Sequence, residues 1–410
     1  MTYIKRTQIT AIQYLLKHFP CVAILGARQV GKTTLLKQVA SHRPFFDLEK
    51  TSDYERIDYD PDFFLSQYQE PIVIDEAQLL PKLFPALRVA IDAKRQSNGS
   101  YLLSGSSSPA LLKQISESLA GRIAIFELSG LSLNETWNLP PSLFFKYIIK
   151  KDFSALLKLK PRLSTHKLLT SCFLGTYPEP LTKYTQEPKA FQLWMENYFK
   201  TYIERDILRL FPGLNIPTYK KFLNMLANSS GQILNASEFS RSLSVSQPTI
   251  KNYYQIAHGT YIWRMLPNFQ KNLARRITKM PRGHIRDTGL LNYILKNYTL
   301  EDLNSHPLIG RIWETFIIEE IIKGFHQQLV FPEISYYRTR NQAEIDLILE
   351  GPFGTLPIEI KLGTVTSGKA LKALQTFVDD MQLKLGILIN NSQNVAWLTK
   401  KILQVPASCL

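Results

Sequence analysis

Apolar residues fall along this 410-residue chain in three successive patterns, each predicting a different architecture. In the first third, short unbroken apolar runs alternate with stretches of helical spacing. Residues 10–19 predict a short helix, and Cys21-Val-Ala-Ile-Leu25 predicts a strand buried on both faces. Leu35, Leu36 and Val39 then recur at helical spacing after Lys32. Pro44-Phe-Phe-Asp-Leu, Pro71-Ile-Val-Ile-Asp75, Ser100-Tyr-Leu-Leu-Ser104 and Ile123-Ala-Ile-Phe126 read as further strands, with an acidic, aromatic helix over 54–68. Such alternation predicts an α/β fold built on a doubly wound parallel sheet, with any ligand at the carboxyl ends of its strands.

After the Pro140-Pro141 break the pattern turns helical. Residues 146–169 are basic and amphipathic with short interruptions, Tyr177-Pro-Glu-Pro reads as a turn, and 194–210 as one long helix. Helices over 219–228 and 236–243, the turn Ser244-Val-Ser and a helix from Gln247 have the spacing of a helix-turn-helix, with Pro248 suited to a first turn. Tyr261-Ile-Trp-Arg-Met-Leu and Ile277-Thr-Lys-Met predict the hairpin of a wing. In the last quarter an apolar helix over 310–322 carries Glu314. Two alternating strands follow, 344–350 and 357–362, joined by the turn Gly351-Pro-Phe-Gly. The domains expected are 1–140, a helical linker or lid over 141–215, a winged segment over 216–300 and a small α/β domain over 301–410.

Three scattered cysteines argue against a disulfide frame or a zinc site, so a reducing compartment is expected. No run approaches the roughly 18 apolar residues of a membrane span, and the N-terminus lacks a signal-peptide core, so cytoplasm is expected and a membrane partner is not. The net charge of +15 is unevenly spread: segments 1–140, 141–300 and 301–410 hold +1, +16 and −2. A loaded middle between balanced flanks points to a polyanion such as DNA, against the alternative of a solubilising surface. On the helix-turn-helix, Gln247, Thr249, Lys251 and Asn252 would face a DNA groove, with Lys271, Arg275, Arg276 and Lys279 on phosphate.

The sharpest chemistry lies after the first strand. Gly26-Ala27-Arg28-Gln29-Val30-Gly31-Lys32-Thr33 fits the phosphate-loop pattern G-x-x-x-x-G-K-[ST] at every fixed position, and Thr34 continues it. The glycines let several backbone N–H groups converge on a polyphosphate at a helix N-terminus. Lys32 would meet the β and γ phosphates, and the Thr33 hydroxyl Mg²⁺. About 40 residues on, Asp75 ends a buried strand and would hold Mg²⁺ through water, with Glu76 polarising the attacking water. Ser104 is a candidate γ-phosphate sensor, the alternative being a plain serine-rich turn. Arg122 is a candidate phosphate-reaching arginine, in its own subunit or a neighbour's. ATP and Mg²⁺ are the cofactors expected.

At the other end, Asp346 and Glu359 fall on adjacent antiparallel strands, with Lys361 on the face of Glu359 because side chains repeat every two residues. Two acidic groups and a lysine could hold Mg²⁺ and orient water. This layout resembles the PD-(D/E)XK nuclease fold, with Glu314 on its first helix. As a whole the chain resembles a family of prokaryotic AAA-like P-loop ATPases with a C-terminal domain of unassigned function. The landmarks are the phosphate loop, Asp75-Glu76, Ser118-Leu-Ala-Gly-Arg122, Tyr202-Ile-Glu-Arg-Asp206, Asp287-Thr-Gly-Leu and Glu344-Ile-Asp346. Gly130 stands where that family has proline, and Met280-Pro-Arg-Gly-His departs from its Pro-Lys-aromatic pattern. The resemblance implies an ATPase core, a winged helix and a nuclease-like end. The functions left in play are an ATPase coupling hydrolysis to a DNA-binding and nuclease-like region, within a possible homo-oligomer, a nucleotide-controlled switch acting on a protein partner without DNA cleavage, and a Mg²⁺-dependent nuclease for which ATP is only regulatory.

Overall fold

The computed structural model describes residues 4–106, 115, 117–186, 189–270, 281–339, 343–364 and 368–410. They form two compact units, one over residues 3–131 with 259–261, the other over 132–258 with 262–410. In the first, Cys21–Gly26 (β1), Phe45–Asp47 (β2), Ile72–Asp75 (β3), Tyr101–Ser106 (β4) and Ile123–Glu127 (β5) make one sheet in the order β2-β3-β4-β1-β5. Every neighbouring pair is parallel. All six residues of β1 are buried, as a strand covered on both faces requires. Each fully buried Val, Ile or Leu there contributes about 1.5–3 kcal/mol. Ile9–His18 (α1) and Lys32–Val39 (α2) pack near β1, and Leu83–Ala93 (α3) buries Phe84, Leu87 and Ile91 in a core with Ala23, Leu25, Ile74 and Leu103. The helix expected over 54–68 is two, Thr51–Tyr59 and Pro61–Ser66. Asp60 is extended between them and accepts from the Phe63 N–H, because Pro61 removes the helical option for the residue before it.

The second unit opens with the helices Leu133–Thr136, Leu143–Ile149, Phe153–Leu156 and Thr165–Leu174. Pro178–Gln186 is helical where a turn was expected, its proline standing at the tolerated first position. The long helix expected over 194–210 is a run of three pieces, α over Lys189–Tyr198, π over Phe199–Asp206 and α over Ile207–Leu210. Next come Ile216–Asn228 (α4), Gln232–Ile233 (β6), Ala236–Leu243 (α5), Gln247–Gly259 (α6), Trp263–Leu266 (β7) and Arg282–Ile285 (β8). The strands pair antiparallel in the order β6-β8-β7, and Tyr219, Phe222, Phe239, Tyr253 and Tyr254 stack among the helices. The return strand is therefore Arg282–Ile285, while the expected Ile277-Thr-Lys-Met lies outside the described residues.

Ile309–Gln327 (α7) is buried along most of its length, and its Glu320 carboxylate accepts from the Leu133 N–H at 2.9 Å. Glu333–Arg338 (β9), Glu344–Gly351 (β10), Gly354–Ile360 (β11), Gly386–Asn390 (β12), Ala396–Trp397 (β13) and Ile402–Pro406 (β14) form a mixed sheet in the order β13-β14-β12-β11-β10-β9. Gly368–Asp380 (α8) covers it through Leu374, Phe377 and Val378, against Ile345, Ile348 and Leu388. No helix among the described residues is long and apolar enough to cross a membrane.

Candidate functional site

Strand register assembles the site of the first unit. Gly26 ends β1 level with Ser106, and β3 and β4 run in step from Ile72 and Tyr101, which brings Asp75 beside Ser104. The loop leaves β1 where a Cβ on Gly26 would collide with the Leu128 carbonyl oxygen. It enters α2 through Gly31 at φ +95°, left-handed backbone that favours glycine. Lys32 is buried, and its Nζ donates to the carbonyls of Gly26 (3.2 Å) and Ala27 (3.1 Å) and to Ser106 Oγ (3.3 Å). Burial lowers its pKa, opposed by the charges of Glu76 and Asp75. Gln29 and Thr34 are exposed, Val30 is buried, and Arg28 lies 3.8 Å from Glu49.

Asp75 is buried, and its carboxyl is raised by desolvation against hydrogen bonds from the Ser104 and Thr33 hydroxyls. Glu76 takes the left-handed conformation at φ +53°, which is uncommon for a residue with a side chain. Its N–H faces Asp75 Oδ1 (3.2 Å) and Ser104 Oγ (3.3 Å), and Gln78 donates to Oε2. Ser106 N–H and Oγ lie 3.3 Å from Oε2 and Oε1. Burial alone would raise Glu76, but Lys32, Gln78 and Ser106 together hold it below the ordinary carboxylate range. The structure thus brings Lys32, Thr33, Asp75 and Glu76 to one end of one sheet.

Ser104 and Arg122 are each engaged by a carboxylate. Ser104 is 1% exposed and turns to Asp75, while Ser106, two residues on and therefore on the same face, meets Lys32 and Glu76. Arg122 precedes β5, and its carbonyl accepts from Cys21 N–H at the amino end of β1, the edge opposite the loop. Its guanidinium is held by Asp92, at 2.8 Å to each carboxylate oxygen, so it does not reach the loop of its own chain. A residue that the motifs did not point to, Arg6, is buried and donates to Val30 O (3.0 Å) and Ser129 O (2.6 Å), bracing the loop from behind. No local pattern marks Arg6, because the contact spans 123 positions.

The second unit also gathers its expected carboxylates. Glu314 on α7, Asp346 on β10, and Glu359 and Lys361 at the end of β11 form one cluster, with Lys361 Nζ 2.6 Å from Glu359 Oε1 and 3.5 Å from Asp346 Oδ2. Arg282 on β8, which was not anticipated, reaches the same cluster and pairs with Glu314 and with Asp346 Oδ1 (3.2 Å). Burial, then Asp346, lifts Glu314 to about 7 and Glu359 to about 8. Close by in sequence, Arg264, His284 and Arg286 surround Glu319 at 2.5, 2.9 and 3.6 Å. On α6, Lys251 and Asn252 are exposed, Gln247 bonds Ser237 Oγ (3.0 Å), and Thr249 shares a hydrogen bond with Ser246 (2.8 Å). Lys271, Arg275, Arg276 and Lys279 lie outside the described residues. Arg205, on the π stretch, pairs with Asp206 at 3.2 Å. Among the described residues no group of three or more His, Cys, Asp or Glu is arranged to hold a metal ion.

Comparison with known families finds an AAA domain over residues 18–137, a domain of unknown function (DUF8612) over 165–301 and another (DUF4143) over 309–410. The uncharacterized protein Rv2008c of Mycobacterium tuberculosis is 32% identical over 411 residues, covering 98% of this chain and 83% of that protein. The uncharacterized protein MJ1544 of Methanocaldococcus jannaschii is 21% identical over 409 residues, covering 92% and 83%. Among solved structures, the Walker-type ATPase PABY2304 of Pyrococcus abyssi aligns at 15% identity and a TM-score of 0.41, over 72% of this chain and 96% of that one. The chain belongs to the family of the mycobacterial protein, and carries an AAA-type P-loop ATPase domain ahead of two domains of unknown function.

Proposed function

We propose that this protein is a Mg²⁺-dependent ATPase whose nucleotide cycle is coupled to DNA binding by the helix-turn-helix region. The observation that carries the proposal is the meeting of Lys32, Thr33, Asp75 and Glu76 at the carboxyl edge of the parallel sheet. The loop amides over 27–33 and Lys32 would hold the polyphosphate of ATP. Thr33 and Asp75, already hydrogen-bonded to each other, are a hard oxygen pair suited to Mg²⁺, with phosphate oxygens completing the set. When bound, that ion neutralises charge on the phosphate oxygens. Glu76 orients a water for attack on the γ phosphorus and takes its proton as the bond to the ADP oxygen breaks. Ser106 fixes the Glu76 carboxylate for that role, and Ser104 fixes Asp75.

The order α4-β6-α5-α6-β7-β8 supports a winged helix, in which Lys251 and Asn252 would face the DNA groove and Gln247 and Thr249 the turn before it. A second reading, a nucleotide-controlled switch on a protein partner, is favoured by one fact. Arg264, Arg282 and Arg286, part of the basic excess of the middle segment, are turned inward onto Glu319, Glu314 and Asp346. ATP turnover with and without duplex, single-stranded and branched DNA separates the readings. Stimulation by DNA supports the first, and unchanged turnover with no DNA binding at low salt supports the second. Wild-type turnover by both Lys32→Ala and Glu76→Gln proteins overturns the ATPase assignment itself.

A further inference from the structure

A nuclease of the fold that the C-terminal layout resembles needs a divalent ion among its carboxylates, and the residues present do not fit one. Arg282 enters the cluster from β8 with all three of its guanidinium nitrogens engaged. Nε donates to the Gly231 carbonyl (2.7 Å), Nη1 to Asp346 Oδ1 (3.2 Å) and Nη2 to Glu314. The other oxygen of Asp346 accepts from the Ile360 N–H (2.9 Å) and faces Lys361 Nζ (3.5 Å). Asp346, the carboxylate at the centre, thus has a donor on each oxygen, with the cations Arg282 and Lys361 standing where a divalent ion would have to approach. Glu359 keeps one buried oxygen, Oε2, without a hydrogen-bond partner, while its other oxygen is held by Lys361.

We infer that the Arg282 guanidinium occupies the place a divalent cation would need, making the C-terminal carboxylate cluster a closed ion lock between β8 and the α7–β10–β11 sheet region rather than a cutting centre. The charges agree with this. Arg282 and Lys361 set two fixed cations against Glu314, Asp346 and Glu359, which leaves at most one net negative charge to attract Mg²⁺. A planar guanidinium also suits the task better than a point cation, because its fork meets two carboxylates and a carbonyl at once.

Terbium luminescence, or Mn²⁺ titration followed by electron paramagnetic resonance, on the nucleotide-free full chain tests the inference without any activity readout. The expected result is that the wild-type protein shows no site sensitive to Asp346→Asn. Arg282→Gln should gain one site, at least ~10-fold tighter than any weak background, that is lost again in the Arg282→Gln, Asp346→Asn double variant. A wild-type site abolished by Asp346→Asn overturns the inference, as does a folded Arg282→Gln protein with no new site. If Arg282→Gln does not fold, the comparison of wild type with Asp346→Asn still decides. None of these outcomes depends on ATP turnover, so the inference and the proposed function can fail separately.

Discussion

Single side chains in the first unit divide labour that the loop motif alone leaves undivided. Lys32 is the one buried ammonium in contact with the loop carbonyls among the described residues, and hydrogen bonds to charged partners contribute about 1.5–3 kcal/mol each. Lys32→Ala is expected to weaken ATP binding at least ~100-fold in a fluorescent-nucleotide titration. Glu76→Gln should bind ATP as wild type does and hydrolyse it ~10²–10⁴-fold more slowly. The two serines of β4 should part company. Ser106→Ala frees the Glu76 carboxylate, so turnover falls ~10-fold with the melting temperature held; Ser104→Ala leaves buried Asp75 short of a donor, so stability falls by about 1–3 kcal/mol. A single variant set, assayed for turnover and thermal unfolding, checks both. Which serine does which could not be read from the run Ser104-Gly-Ser-Ser, since both alternate onto one face. Only the pairing of Gly26 with Ser106 settles it, and pairing between distant strands leaves no local trace.

At the scale of elements, what was legible in the sequence and what was not divide along a physical line. The inner strands β1 and β3 announced themselves because each is buried on both faces and therefore continuously apolar. Short helices went unseen because a helix of one turn has too few residues to show a period, whereas β12 and β14 carry the same buried apolar run as β1 and were not anticipated. The carboxylates of α7 and β11 were legible as a cluster, yet their arginine partners on β7 and β8 were not, because a charge count along the chain treats every Lys and Arg as surface. Burial makes these pairs pH-sensitive in opposite directions. Desolvation would raise Glu319, but Arg264, Arg286 and His284 hold it well below its ordinary value, so its contribution is present above about pH 4.5 and lost as pH falls through the folded value. Glu359 is raised to about 8, so its contribution is complete below about pH 4.5 and lost as pH rises toward 8. The melting temperature is therefore expected to decline between about pH 5 and about pH 8, and Glu359→Gln should flatten that decline, as thermal unfolding across pH will show.

For the whole molecule, the same inward arginines change what +15 means. Charges neutralised inside the second unit cannot release counterions from DNA, so the salt dependence of any DNA binding should reflect the exposed cations alone. If the helix-turn-helix is the contact, Lys251→Ala should lower the slope of log affinity against log salt by about 1, in fluorescence anisotropy across salt concentrations, without altering ATP turnover in the absence of DNA. Arg6 carries a consequence of another order. Its guanidinium joins the carbonyl of Val30, inside the loop, to that of Ser129, two residues before the first unit ends at Leu131. Replacing it severs the loop from its support, so Arg6→Ala is expected to weaken nucleotide binding and lower the melting temperature together, as a fluorescent-nucleotide titration and thermal unfolding will show.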